Sequence, residues 1–162
     1  MEQNPKKKIT NPDLALSKAM QFCAYQERCQ QEVRDKLYSL GMWEDAVEKI
    51  IGELIEQNFI NEERFAKAYA GGKFRIKHWG KKKIELSLKQ KGISAFCIQK
   101  GLAEINNQEY HKVLTEVIDK QFKTVKESNP LKKNYKISQY CMSRGFEGDL
   151  VWEIIKEISG MN

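Results

Sequence analysis

The chain carries one apolar pattern three times. Eight and four positions before Gly41, Gly92 and Gly145 stand Val33 and Leu37, Ile84 and Leu88, Ile137 and Cys141. One position after each glycine come Met42, Ile93 and Phe146. The pattern continues in step, with Val47, Ile51 and Leu54, then Ile98, Leu102 and Ile105, then Val151, Ile155 and Ile158. Apolar pairs at i, i+4 mark one face of a helix, and the glycine behind them supplies a left-handed helix end without a Cβ penalty. The downstream spacing predicts a second helix beginning near Glu44, Ser94 and Glu147. Such a pair of helices leaves an apolar face open, so each copy needs a third helix. Upstream segments supply it: Pro12 to about Gln26, Glu62 to about Lys77, and about Gln108 to Lys126.

The starts of these upstream helices carry capping signals. Asn11 before Pro12 fits an N-cap followed by proline in the first turn, and Asn61 precedes the acidic pair Glu62 and Glu63. Asn106 with Glu109 three residues on has the form of a capping box. The expected architecture is all-α: three tandem three-helix repeats, nine helices, in an elongated curved array. The expected divisions are a flexible basic N-terminus over 1–11, then repeats over 12–60, 61–106 and 107–162. Composition agrees, since only three prolines occur in 162 residues and none falls between Pro12 and Pro130.

Charge adds a polarity that the net value of +6 conceals. Residues 64–93 hold Arg64, Lys67, Lys73, Arg75, Lys77, Lys81, Lys82, Lys83, Lys89 and Lys91 against Glu85 alone, a local charge of +9. Residues 26–63 carry −6. Solvated helix faces normally mix signs because like charges at i, i+4 repel. A one-signed stripe over two successive helices instead suits a phosphate backbone or an acidic protein surface. Lys132, Lys133, Lys136 and Arg144 extend the positive surface into the third repeat. Phe65, Tyr69, Phe74 and Trp79 interleave with the stripe; the first two, at i, i+4, are expected in the core, and Trp79 over the joint that Gly80 lets the chain turn through.

Catalytic chemistry finds little to work with. No metalloprotease, nucleophile-elbow, phosphate-loop or dinucleotide motif occurs. Cys23, Cys29, Cys97 and Cys141 form no C-x-x-C pair, and His78 and His111 are the only histidines, so free thiols and no metal or other cofactor are expected. His78 reads as an exposed or phosphate-facing imidazole. No apolar run approaches the roughly 18 residues of a membrane span and no secretory leader is visible, so a cytoplasmic location is expected, and because the repeats close their own core a monomer is expected.

The run Phe59-Ile60-Asn61-Glu62-Glu63-Arg64-Phe65-Ala66-Lys67-Ala68-Tyr69, with Trp79-Gly80-Lys81-Lys82-Lys83-Ile84-Glu85-Leu86 and Lys89-Gln90-Lys91-Gly92-Ile93, resembles the signature of RecX-type regulators of the RecA recombinase. The resemblance spans about residues 15–158 and places Arg64, Phe65, Tyr69, Gly80, Leu88, Gly92 and Ile93 on signature positions. The third repeat departs from the pattern, with Cys141 in place of the usual large aliphatic residue. The resemblance implies a non-enzymatic protein that lodges in the groove of the RecA filament on DNA and inhibits recombinase, ATPase and coprotease activities, in DNA repair and the SOS response. It also implies contact through the central basic residues, with single- or double-stranded DNA met at its phosphates and without sequence preference. A direct DNA-binding helix-turn-helix protein is the alternative; the stripe disfavours it, being lysine-rich where base readout uses Arg, Asn and Gln.

Overall fold

The computed structural model describes residues 8–160, and the expected flexible N-terminus lies largely outside the described residues. Among the described residues there are nine helices and no strands. They are α1 (Pro12–Tyr25), α2 (Gln30–Ser39), α3 (Glu44–Glu56), α4 (Glu62–Lys77), α5 (Lys81–Gln90), α6 (Ala95–Ala103), α7 (Asn107–Thr124), α8 (Pro130–Ser143) and α9 (Gly148–Ser159). Packing is strongest within successive triplets, α1 to α3, α4 to α6 and α7 to α9.

The helix starts follow the capping chemistry. Asn11, Asn61 and Asn106 accept from the amides of Asp13, Arg64 and Glu109, which satisfies donors that an open first turn would leave unmet. At Asn106 only this forward bond forms. The reciprocal side-chain bond appears instead at α2, where Glu32 Oε1 accepts from the Cys29 amide at 3.4 Å.

The three pattern glycines all take positive φ, +96° at Gly41, +77° at Gly92 and +97° at Gly145. Each ends the middle helix of its triplet, and the next residue folds back over that helix end. The amides of Met42, Ile93 and Phe146 donate to the carbonyls of Leu37, Leu88 and Cys141. The aligned apolar positions are buried except Leu102, which is half-buried, and Ile158, which lies at the exposed end of α9.

Three like units do not produce three like cores. Residues of α1 to α3 form one cluster, from Ala15 to Ile60. The second and third triplets share a single continuous core running from Phe65 to Ile155, and Cys29 of the first triplet enters it. The fusion has a visible cause in the aromatic chain Phe74, Tyr110 and Phe146, whose rings lie 5.7 and 5.3 Å apart across the two triplets. Aromatic contacts of this kind add to the area they bury.

Candidate binding surface

The basic residues are displayed by α4, α5 and the joint between them. His78 makes that joint: it is the C-cap of α4 at φ 54°, and its side chain is exposed. Gly80, expected to provide the turn, has an ordinary extended backbone at φ −75° and ψ 163°. Its lack of a side chain serves close approach. A Cβ there would stand 2.2 Å from the Gly145 carbonyl carbon and from the Phe146 nitrogen. The Gly80 amide donates to the Arg144 carbonyl at 2.8 Å, and the Lys82 amide donates to the Gly145 carbonyl at 2.9 Å. The start of α5 is thereby seated directly on the helix-ending turn of α8.

A buried polar link completes this seat. Tyr110 accepts from the Lys81 amide at 3.0 Å and donates to Glu147 Oε2 at 2.5 Å. Burial is the main cause that drives the Tyr110 hydroxyl well above its ordinary pKa, and the Glu147 carboxylate adds to it. Sequence reasoning passed over Tyr110 and treated Glu147 only as a helix start. The available signal was the phenol itself, since a buried tyrosine needs a partner for its hydroxyl.

The first triplet meets the second through side chains. Arg64 donates from Nε to Glu27 Oε1 at 2.5 Å and from its terminal nitrogen to the Asn58 carbonyl at 3.0 Å. Glu27 Oε2 is buried without a hydrogen bond to any of the described residues. Glu62 accepts from the Gln30 amide at 3.3 Å, and burial raises its carboxyl above the usual range. Arg64, grouped by sequence with the partner-facing cations, is thus occupied in holding two triplets together.

The remaining cations separate into paired and unpaired sets. Lys67 lies 3.8 Å from Glu63 and 3.7 Å from Glu104, Lys89 lies 3.1 Å from Glu85, and Lys136 lies 2.8 Å from Glu127. The Lys136 ammonium depresses the Glu127 carboxyl. Lys73, Arg75, Lys77, Lys81, Lys82, Lys83 and Lys91 face no carboxylate within ion-pair distance among the described residues. Three of them gather over two rings: Lys73 and Lys91 over Tyr69 at 5.4 and 5.6 Å, Lys73 and Lys83 over Trp79 at 4.9 and 4.5 Å. Lys81 lies over Tyr110 and donates to Asn107 Oδ1 at 3.0 Å. Arg75 folds back toward Gly71, while Lys77, like Lys82, is exposed.

The two basic regions meet at one point. Arg144 donates to the Lys77 carbonyl, which joins α8 to the end of α4. Lys132 is exposed and Lys133 lies over Phe122, both on the outer part of the third triplet. Phe65 is buried, Tyr69 is partly buried with its hydroxyl 2.5 Å from Ser87 Oγ, and Trp79 packs half-buried against the shared core.

The four cysteines are free thiols. Burial raises Cys29 and Cys141 to about 11. No group of three His, Cys, Asp or Glu side chains among the described residues could hold a metal ion, and none of the described helices is long and apolar enough to cross a membrane.

The described residues form an all-helical tandem repeat that displays a cluster of lysines with no carboxylate among the described residues within ion-pair distance. Family models identify the repeat: the first, second and third three-helix domains of RecX match residues 15–54, 61–102 and 108–155. Regulatory protein RecX of Clostridium acetobutylicum is 32% identical over 152 residues, covering 91% of this chain and 70% of the relative. That of Clostridium tetani is 30% identical, covering 86% of this chain and 63% of the relative. The crystal structure of RecX from Lactobacillus salivarius superposes with a TM-score of 0.81 at 28% identity, covering 91% of this chain and 96% of that one. The chain belongs to the RecX family, and its relatives are named as regulatory proteins, not as enzymes.

Proposed function

We propose that this protein is a non-enzymatic regulator that binds the RecA filament on DNA, through the face built by α4, α5 and their joint, and inhibits RecA activity. The observation that carries the reading is the cluster of Lys73, Lys83 and Lys91 around Tyr69 and Trp79, which pairs with no carboxylate among the described residues. Lys77 and Lys82 stand exposed beside it. Membership of the RecX family directs the reading to RecA.

The physical case has two parts. Ammonium groups held over aromatic rings keep part of their field available to an incoming anion, since the ring supplies no formal charge. Three linked triplets also let several weak contacts act together along a repetitive partner, so the bound state is favoured beyond any single contact. DNA phosphates are met without base readout, because the cations clustered over Tyr69 and Trp79 are lysines. The test is charge reversal at Lys77, Lys82 and Lys83 in a protein that keeps its helical content. Loss of binding to RecA on single-stranded DNA supports the assignment; full binding by the folded variant removes it.

A further inference from the structure

The three helix-ending glycine turns are alike in backbone and unlike in what covers them. At Gly41, the Ile9 amide donates to the Leu40 carbonyl at 2.8 Å, and a Cβ on Gly41 would touch Lys8. At Gly145, the Gly80 amide donates to the Arg144 carbonyl, and a Cβ would strike Lys83. In both cases a non-helical residue, Ile9 or Gly80, gives an N–H to the residue before the glycine, and at Gly145 the first turn of α5 follows directly on it. The Gly92 turn is bare: a Cβ there meets nothing within 4 Å, the glycine is exposed, and no amide among the described residues donates to the Lys91 carbonyl.

The reason lies in the equivalent of Gly80. Twelve residues before Gly92 stands Gly80, and twelve before Gly41 stands Cys29, each the N-cap of its middle helix. Gly80 seats its triplet on the turn of the next one. Cys29 has a side chain, and its amide turns to Glu32 instead. The first triplet therefore stops short of the Gly92 turn and leaves a groove of about 400 Å³, lined by Glu27, Glu32, Phe65, Tyr69, Lys73 and Lys91. Glu27 and Glu32 are paired with Arg64 and Arg28. Lys73 and Lys91 have no anionic partner among the described residues, so the groove carries about two uncompensated positive charges. Beyond Tyr69 and Lys73 it continues to Ile76, which is 78% exposed.

We infer that the Gly92 turn and this groove are a docking site for an extended acidic peptide segment of a partner protein, which donates a backbone N–H to the Lys91 carbonyl. Non-helical chain at Lys8 and Ile9 covers the Gly41 turn, and at the Gly145 turn the extended N-cap residue Gly80 gives the N–H while the first turn of α5 covers the glycine. Side chains alternating along the docked segment would set carboxylates against Lys73 and Lys91 and apolar groups against Tyr69 and Ile76. A nucleic-acid backbone offers the anion but no N–H. The site uses lysines that the proposed filament contact also uses, yet it can be tested without RecA.

The probe is a fluorescein-labelled peptide of four Glu-Val repeats, read by anisotropy on the full-length protein. Binding is expected, weakened at least about tenfold by Lys73→Glu with Lys91→Glu and less than about twofold by Lys132→Glu. A scan that N-methylates one peptide amide at a time, on the unaltered protein, is expected to find one position whose loss weakens binding at least about fivefold. Absence of binding, a flat N-methyl scan, or displacement by an equally charged oligothymidylate would overturn the site. A protein that inhibits RecA yet ignores the peptide loses this site only; one that binds the peptide yet leaves RecA untouched loses only the filament reading.

Discussion

Gly80 and Gly145 stand backbone against backbone, so close that a Cβ on Gly80 would lie 2.2 Å from the carbonyl carbon of Gly145. Neither can accept a side chain while the second and third triplets remain in register. Gly80→Ala should therefore cost about 2 kcal/mol or more by forcing the two triplets apart. Gly92→Ala meets open space and should cost only about 1–2 kcal/mol, the penalty of its left-handed backbone. Thermal or urea unfolding of the two variants gives the comparison. Equal losses would show that the Gly80 contact is not a packing constraint.

Tyr110 links the same two triplets through polar atoms. Tyr110→Phe keeps the ring between Phe74 and Phe146 but removes the donor to Glu147 and the acceptor for the Lys81 amide. A loss of about 1–3 kcal/mol is expected in chemical denaturation. Adding Glu147→Gln to Tyr110→Phe should recover part of it, because at this half-buried position a neutral amide is cheaper than a carboxylate to leave without its partner.

Alkaline pH should loosen the fold in a defined direction. Cys29 and Cys141 titrate near 11 when folded against an ordinary 9.0, so the unfolded chain gives up these protons first. Their contribution to stability is complete below about pH 9 and falls as pH rises toward 11, by about 1.4 kcal/mol per pH unit for each thiol. Cys141→Ala should flatten that slope in unfolding curves taken from pH 8 to 10.5, apart from any fixed loss from the cavity.

The same burial sets thiol reactivity. Cys97 and Cys23 are half-buried, Cys29 and Cys141 fully so. An aromatic disulfide reagent at pH 8 should label Cys97 and Cys23 in the native protein, with Cys23 slowed by its raised pKa, and reach the other two only on unfolding. Rapid labelling of all four without denaturant would contradict the packing described.

Salt dependence checks the charge on the proposed contact face. With about five lysines meeting phosphates, log K for DNA should fall against log salt with a slope of about −3.5 to −4.5. Removing Lys82 should reduce the slope by about one contact's share, whereas removing Lys89, already paired with Glu85, should change it little.

The helices were legible because their determinants are local. Val33 with Leu37, Ile84 with Leu88, and Asn11, Asn61 and Asn106 sit within one or two turns of what they control. The helix ends at the three glycines followed for the same reason. What joins the triplets was not legible, since Gly80 and Gly145, or Glu27 and Arg64, are far apart in the chain and no short-range pattern pairs them. Gly80 was read as a turn because glycine serves both conformational freedom and close approach, and only the packed structure separates the two uses. The basic stripe was visible as composition, and Lys67 with Glu63 and Lys89 with Glu85 are local i, i+4 pairs, but the contact of Lys67 with Glu104 and the gathering of Lys73, Lys83 and Lys91 over Tyr69 and Trp79 needed the fold.

The most direct measurement is RecA ATPase on single-stranded DNA with increasing, substoichiometric amounts of this protein. A progressive loss of ATP hydrolysis well below equimolar protein, abolished by charge reversal at Lys77, Lys82 and Lys83, is the expected result. Unchanged hydrolysis at equimolar protein would contradict the assignment of the RecA filament as its target.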